Sequence, residues 1–291
     1  MAEKLAFVGM GRVGGALAVL LSRAAFEVVA LCDLEEAAAA RVAAMVAGEP
    51  LLTTDPLAAA AAADVVFITT QDRYIAAVSE QLAAGGAAAA GTMVAHVSGS
   101  LTSEALAAVA ARGAAVFSLH PLQSFADLEA ALRVLPGSYF CFEGDEAAYP
   151  FAGSLVAALR GRLWRLAAAD KALYHAAAVV ASNFFIALEG LAVDMLRQLG
   201  CEEQMAVDML LPLVRGSLEN LAARGPVAAL TGPVVRGDNE TVAKHLEVIA
   251  ARMPASLEAY RTLARLTLEL AHRQSGVTLA DLPALRDRLA E

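Results

Sequence analysis

The sequence predicts an α/β protein in which a doubly wound parallel sheet is followed by an all-helical domain. A glycine-rich turn joins an apolar run to a helical segment between residues 5 and 33. Short apolar runs then alternate with Ala/Leu-rich helical segments as far as residue 167, the pattern of a parallel sheet with helices on its faces. From Asp170 onward the sequence shows only helical patterns. We therefore predict two domains, residues 1–167 and 168–291.

Each short apolar run is predicted to form one strand. The predicted strands are residues 5–9, 27–32, 50–53, 64–69, 92–97, 114–119, 138–142 and 162–166. After them, residues 170–199 are predicted to form one long helix, apolar on most faces, as expected of a helix buried between the cofactor domain and a partner subunit. Prolines and glycines predict breaks in the later helices, among them Pro212 and the pair Gly225-Pro226.

The composition excludes several classes of protein. Hydrophobic residues make up 58% of the 291 residues, and the mean hydropathy is +0.56. Much of this is alanine, and no span of about 20 residues is strongly apolar throughout, so we predict no transmembrane segment. A net charge of −9 and a pI near 5.1 argue against nucleic acid or an anionic membrane as a partner. A small-molecule substrate is the expectation that remains.

The cysteines and the start of the chain give two further expectations. Cys32, Cys141 and Cys201 lie far apart, with neither disulfide nor metal-ligand spacing, so we predict no disulfide framework and no metal site. Only four residues precede the first predicted strand at Leu5, which leaves no room for a signal peptide. We expect a cytoplasmic protein.

The glycine-rich turn has the spacing of a dinucleotide-binding motif. It reads Gly9-Met10-Gly11-Arg12-Val13-Gly14 and is followed by a helix, a second strand and Asp33. Gly9 permits a tight turn, Gly11 lets a pyrophosphate approach the backbone, and Gly14 lets the helix pack on the sheet. A carboxylate at Asp33 would accept hydrogen bonds from the adenine ribose and repel a 2′-phosphate, which favours NAD over NADP. The alternative is a turn that only joins a strand to a helix.

Polar residues also follow the later predicted strands, where ligands bind in such sheets. Thr69, Thr70 and Gln71 are candidate cofactor contacts, although the neighbouring Asp72 suits a helix cap equally well. Ser98 is a candidate contact near the nicotinamide. Ser100 is a candidate substrate contact, and its alternative role is to cap the helix that starts near residue 102.

Four side chains are candidates for the chemistry. His120 stands at a strand end, where Pro121 restricts its conformation; it suits acid–base work or a hydrogen bond to a substrate, or else caps a backbone carbonyl. Lys171, His175 and Asn183 lie on the long helix, with Lys171 and His175 on one face at about 100° per residue and Asn183 at its edge. The alternative is a solvated helix start with a core histidine.

One polar loop interrupts the helical half, at residues 230–245. Turn and cap requirements account for most of its Gly, Pro, Asp and Asn content. Arg236 is the exception, because a guanidinium in a cleft could bind a substrate carboxylate with two hydrogen bonds.

Together these segments resemble a family of NAD(P) oxidoreductases in which a Rossmann domain precedes a helical domain of unknown function. The glycine fingerprint carries the resemblance, together with HPLQSF at 120–125, the segment from Lys171 to Asn183, and LTGPVVRGDNETVAKHL at 230–246. Members are often labelled deazaflavin-dependent NADP oxidoreductases. More distantly the chain is similar to ketopantoate reductase, pyrroline-5-carboxylate reductase, and 6-phosphogluconate and prephenate dehydrogenases, which implies a C-terminal domain of the 6-phosphogluconate dehydrogenase type.

The resemblance implies hydride transfer in an interdomain cleft and a homodimer formed through the C-terminal helices. The long helix of the hydroxyacid dehydrogenases opens with Lys-x-x-x-Asn, whereas this chain has Lys171 followed by His175. We therefore predict an NAD(P)-dependent oxidoreductase acting on a small, carboxylate-bearing carbonyl, alcohol or imine. Two alternatives stay open: a catalytically silent NAD(P)-binding sensor or scaffold, and an NADP:deazaflavin oxidoreductase.

Overall fold

The computed structural model describes residues 3–286 of the chain. It divides into two compact units, Met1–Asn183 and Phe184–Glu291. The first contains every strand of the described residues, and the second is helical. The domain boundary after residue 167 stays a prediction.

The first unit is built on one eight-stranded sheet, which confirms the predicted fold class. Its strands are β1 Lys4–Val8, β2 Glu27–Cys32, β3 Leu51–Thr53, β4 Val65–Ile68, β5 Met93–His96, β6 Ala115–Pro121, β7 Tyr139–Gly144 and β8 Arg162–Arg165. They lie in the order β3-β2-β1-β4-β5-β6-β7-β8, so the direction of winding reverses between β1 and β4. Ligands bind such sheets at the carboxyl ends of the strands beside the reversal.

One strand departs from a wholly parallel sheet. β7 runs antiparallel to β6, with Ser118 opposite Glu143 and His120 opposite Cys141. β8 is parallel to β7, and every other neighbouring pair is parallel. An apolar run buried on both faces has the same composition in either direction, so the sequence pattern predicts the strand without its polarity.

Helices cover both faces of this sheet. The helices of this unit are α1 Arg12–Arg23, α2 Glu36–Ala43, α3 Pro56–Ala60, α4 Asp72–Ala84, α5 Ala107–Ala110, α6 Leu128–Val134, α7 Tyr149–Ala158 and, after the last strand, α8 Lys171–Val179. One face of the sheet is packed with aromatic rings, among which Phe7 and Phe67 stack at 5.0 Å between centroids. The other face is lined by smaller side chains such as Ala6, Val66 and Val94.

The second unit contains the remaining helices. They are α9 Phe185–Arg197, α10 Glu203–Ala229, α11 Asn239–Arg252, α12 Leu257–Ser275 and α13 Pro283–Arg286. Its core includes Val242, Leu246 and Leu268. α10 kinks at Gly225, where φ is 72°, as predicted. The predicted break at Pro212 is wrong, because that residue lies inside α10; proline has a helical φ and costs the helix a hydrogen bond without always ending it.

The predicted long helix is present, but it is not a regular α-helix. Between α8 and α9 the residues Val180–Phe184 form a π-helical turn, which contains Ser182 and Asn183. A π turn holds an additional residue, so counting 100° per residue across it is wrong. The common face predicted for Lys171 and His175 lies within α8 and is unaffected, whereas the angular position predicted for Asn183 does not hold.

The run Ala168–Arg197 is long and apolar enough to cross a membrane by length and composition. Within the chain its apolar side chains are open to solvent; Leu173 is 76% and Ile186 67% exposed. The same run carries Glu189 and Asp194, whose charges are costly within a bilayer.

Candidate functional site

The glycine-rich turn connects β1 to α1 and is tightly packed against the sheet at one end only. Gly9 has a φ of 105°, and its N–H donates to the carbonyl of Cys32 at 2.7 Å. A Cβ on Gly14 would lie 2.1 Å from the carbonyl oxygen of Gly9 and 2.2 Å from Oγ1 of Thr69. A Cβ on Gly11, by contrast, would meet nothing within 4 Å. The turn is therefore closed against the sheet at Gly14 and open at Gly11, the residue that precedes the helix.

Asp33 lies at the carboxyl end of β2 and reaches back to this turn. Its Oδ2 accepts a hydrogen bond from the N–H of Met10 at 2.6 Å, and its Oδ1 accepts one from the N–H of Glu35 at 2.9 Å. Each carboxylate oxygen has two lone pairs, so these bonds leave acceptor capacity for a ligand hydroxyl.

Arg12 and Val13 of the glycine-rich motif lie in the first turn of α1. The guanidinium of Arg12 donates to the carbonyl of Phe125 at 2.7 Å, which ties the glycine turn to the loop after β6. Val13 is half-buried against the aromatic side of the core.

Thr69 occupies a structural position at the end of β4. Its side chain is buried, and Oγ1 donates to the carbonyl of Gly9 at 2.6 Å. Thr70 and Gln71 follow it and are more exposed. Gln71 precedes α4 without a side-chain cap bond. Thr69 therefore stabilises the glycine turn, while the side chains of the next two residues are accessible to a ligand.

Asp72, Ser98 and Ser100 form one hydrogen-bonded group across the ends of β4 and β5. Oδ2 of Asp72 accepts from Oγ of Ser98 at 2.7 Å and from Oγ of Ser100 at 2.9 Å. Oγ of Ser98 also accepts from the N–H of Leu101 at 3.0 Å. The capping alternative for Ser100 is wrong, because the helical turn Ser103–Leu106 follows Thr102 without any side-chain cap. Asp72 binds the two serines rather than its own helix.

A buried polar row crosses β5, β6 and β7 on the face opposite the phenylalanines. The sheet register pairs His96 with Ser118, and Ser118 with Glu143. Oε2 and Oε1 of Glu143 accept from the N–H and hydroxyl of Ser103, both at 2.7 Å. His96 is fully buried; its Nδ1 accepts from the N–H of Ser98 at 3.1 Å, so its Nε2 donates to the carbonyl of Thr102 at 3.0 Å.

Lys171 reaches into this row from α8. It is 1% exposed, and its ammonium donates to the hydroxyl of Ser118 and lies 3.8 Å from Oε2 of Glu143. Burial lowers the pKa of Lys171 to about 8, against the opposing effect of the Glu143 charge. Lys171 is therefore enclosed by protein groups and can act on a ligand through its charge.

His120 and His175 lie on the open side of the same row. Nδ1 of His120 is 2.8 Å from the hydroxyl of Tyr174. A Cβ on Gly99 would lie 2.8 Å from both Nε2 of His120 and Cδ2 of His175, so the two rings meet over this glycine. Both histidines are partly exposed. Burial, followed by the charge of Lys171, lowers the pKa of His120 to about 4, so the ring is neutral at pH 7.

Two predicted residues are not part of this group. Asn183 is exposed in the π turn. Arg236 is exposed in the second unit, before Asp238, which caps α11 by accepting from the N–H of Thr241 at 3.1 Å. The roles of Asn183 and Arg236 stay predictions.

The sequence patterns did not indicate the roles of several residues in the polar row or beside it. These are Asp72 as a ligand of the serines, and His96, Ser118, Glu143 and Tyr174. For His96 and Glu143 the signal available was an ionisable residue after an otherwise apolar run of a strand, as in MVAH and FCFE. Within residues 3–286 the structure brings no three His, Cys, Asp or Glu side chains together as a metal site.

Two family models match the chain in succession. A Rossmann-like domain matches residues 3–121, and a domain of unknown function, DUF2520, matches residues 138–267. No curated protein sequence matches the chain significantly.

Solved structures with the same fold cover nearly the whole chain. Protein TM1727 from Thermotoga maritima is 26% identical, with a TM-score of 0.73, over 93% of this chain and 99% of that one. A reductive aminase from Aspergillus terreus, in complex with NADPH and ethyl levulinate, is 20% identical, with a TM-score of 0.66, over 99% and 100%. An imine reductase from a Pseudomonas species is 19% identical, with a TM-score of 0.60, over 94% and 98%. The chain thus matches a Rossmann-like domain followed by a DUF2520 domain, and it shares its fold with these structures.

Proposed function

We propose that the protein is an NAD(P)-dependent oxidoreductase that transfers a hydride between the nicotinamide and a small carbonyl, alcohol or imine. One observation carries the proposal: the open glycine turn with Asp33 and the polar group around His120 lie at the same edge of one sheet. The names of the reductive aminase and the imine reductase support this class of reaction.

The residues at the turn fit a dinucleotide. Space beside Gly11 leaves the start of α1 accessible, where the first N–H groups of a helix lack acceptors within it and favour an anion. Asp33 keeps lone pairs for the ribose and a charge that disfavours a 2′-phosphate. Thr70, Gln71 and Ser98, which follow β4 and β5, are the further proposed cofactor contacts. When bound, the cofactor supplies or accepts the hydride.

The chain's own groups would bind and polarise the substrate. Neutral His120 can donate a hydrogen bond to a carbonyl oxygen or an imine nitrogen. His175, the other ring over Gly99, is then the proposed group for carrying the proton, because Lys171 is enclosed. The ammonium of Lys171 beneath them would favour an anionic substrate group such as a carboxylate. Asn183, Ser100 and Arg236 remain proposed substrate contacts.

We further propose that the protein is a cytoplasmic homodimer. The exposed apolar side chains of the run Ala168–Arg197 support the dimer, because so large an apolar surface is unusual on a monomer. Light scattering after size exclusion tests it. Leu173→Glu together with Ile186→Glu is expected to give monomers, and a wild-type protein that is monomeric at micromolar concentration contradicts the proposal.

Fluorescence titration with NADH and NADPH, followed by turnover on a panel of keto acids and cyclic imines, tests the oxidoreductase. We expect binding of at least one cofactor, and turnover that His120→Ala and His175→Ala each reduce at least tenfold without weakening cofactor binding. His245→Ala is the matched control, because His245 pairs with a tyrosine in the same manner in the second unit. Binding without turnover favours the sensor, and absence of binding to both cofactors refutes the proposal.

A further inference from the structure

The two ring nitrogens of His120 have different surroundings. Nδ1 is 2.8 Å from the hydroxyl of Tyr174, and the two rings meet edge to face with centroids 5.6 Å apart. Nε2 lies beside Gly99 and His175. Within residues 3–286 Nε2 makes no hydrogen bond, and the atom is accessible to solvent. Nε2 is therefore the nitrogen that a ligand can reach.

A neutral imidazole carries one hydrogen, and its hydrogen bonds decide which nitrogen holds it. His120 is in this neutral form at pH 7, because burial and the charge of Lys171 act against a proton. Four further titratable groups act on the ring or on its tyrosine: Asp72, His96, Cys141 and His175. Among those acting on the ring, only Asp72 favours the proton, and its effect is smaller than burial.

The surroundings of the Tyr174 hydroxyl favour it as the donor in this pair. Tyr174 is 8% exposed, and burial raises its pKa, so the hydroxyl keeps its proton throughout the neutral range. The other side chain that acts on this hydroxyl is Cys141, whose own pKa burial raises to about 11. A thiol is a weak acceptor, whereas an imidazole nitrogen is a good one. The tyrosine proton therefore points to Nδ1 of His120.

We propose that Tyr174 is a positioning residue that holds neutral His120 in the tautomer with hydrogen on Nε2. In this tautomer His120 presents a donor to the oxygen or nitrogen of the substrate double bond and cannot accept a proton from an alcohol or amine. The site is thereby set to polarise a carbonyl or imine. This inference rests on the proposed function for the identity of the ligand, but the tautomer itself does not depend on turnover.

Long-range ¹H–¹⁵N correlation spectra of the histidine side chains, recorded on the full-length protein without cofactor, test the tautomer. Loss of signals in His120→Gln assigns the ring. We expect wild-type His120 to carry hydrogen on Nε2 between about pH 6 and 8, and Tyr174→Phe to lower the ratio of the two tautomers about tenfold, the equivalent of one net hydrogen bond.

Tyr260→Phe is the matched control. The hydroxyl of Tyr260 lies 2.7 Å from Nδ1 of His245, and these rings also meet edge to face, at 6.0 Å. Tyr260→Phe should leave the His120 signals unchanged. Hydrogen on Nδ1 of wild-type His120, or an unchanged ratio in Tyr174→Phe, overturns the inference. If the ratio changes as expected while the wild-type protein binds neither NADH nor NADPH, the tautomer is supported and the proposed function fails.

Discussion

Replacing Gly14 and Gly11 one at a time should separate the contribution of the glycine turn to stability from its proposed contribution to cofactor binding. In Gly14→Ala the new Cβ would lie 2.1 Å from the carbonyl oxygen of Gly9, and this backbone atom cannot move without moving β1. Overpacking of this kind costs up to about 3 kcal/mol. One kcal/mol lowers the melting temperature by about 2–4 °C in a domain of this size, so we expect a decrease of up to about 6–12 °C.

Gly11→Ala should have the opposite outcome. Gly11 has a negative φ of −71°, and nothing lies within 4 Å of the new Cβ, so the folded protein accepts it. Alanine in place of glycine before a helix costs roughly 0.5 kcal/mol, or about 1–2 °C. The methyl group would, however, occupy the space proposed for the pyrophosphate, and an overlap worth about 1.4–2.8 kcal/mol weakens binding about 10–100-fold.

Two assays on the two variants decide the matter. Circular dichroism melting gives the stability, and quenching of tryptophan fluorescence by NADH or NADPH gives the affinity. Wild-type affinity in Gly11→Ala would refute the placement of the cofactor. An unchanged melting temperature in Gly14→Ala would refute the packing of α1 against the sheet.

Three further predictions concern charge. Asp33→Ser removes the carboxylate proposed to repel a 2′-phosphate, so the NADPH:NADH affinity ratio from fluorescence titration should rise about tenfold or more; no change contradicts the cofactor assignment. Burial lowers the pKa of His96 from 6.5 to about 4, so the folded protein binds fewer protons than the unfolded chain in that range and loses stability as the pH falls. Urea unfolding should show this loss, and His96→Gln should reduce its slope by about 1.4 kcal/mol per pH unit. Burial lowers the pKa of Lys171 from 10.5 to about 8, so its contribution to stability should rise between those pH values; Lys171→Met should abolish the rise, and an identical pH profile would show that folding does not lower the pKa of this lysine.

The first βαβ unit could be predicted closely because its signals are local. The turn at Gly9 and the close packing at Gly14 follow from glycine spacing and from the apolar runs on either side. The direction of β7 is not a local property, and neither is the pairing of Ser118 with Glu143. Register joins residues that are distant in sequence, so the partners of Lys171 could not be identified without the sheet.

The long helix shows a different limit. Composition predicts that the helix exists, but the predicted angular positions of its side chains depend on a regular period of 3.6 residues. The π turn at Val180–Phe184 breaks this period between His175 and Asn183. One inserted residue rotates everything that follows by about 100°, so angles are dependable only on one side of it.

The burial of Lys171 changes what its position on the helix means. A lysine at the start of an amphipathic helix is normally solvated, yet this one is 1% exposed, with Ser118 and Glu143 as partners. Burying a charge is costly unless it is paired and hydrogen-bonded. Both conditions are met, because Ser103 holds the carboxylate of Glu143 with two bonds at 2.7 Å. The polar row therefore keeps a positive charge fixed beneath His120, and this charge helps to hold the ring neutral, the state in which the hydroxyl of Tyr174 determines which nitrogen carries the hydrogen.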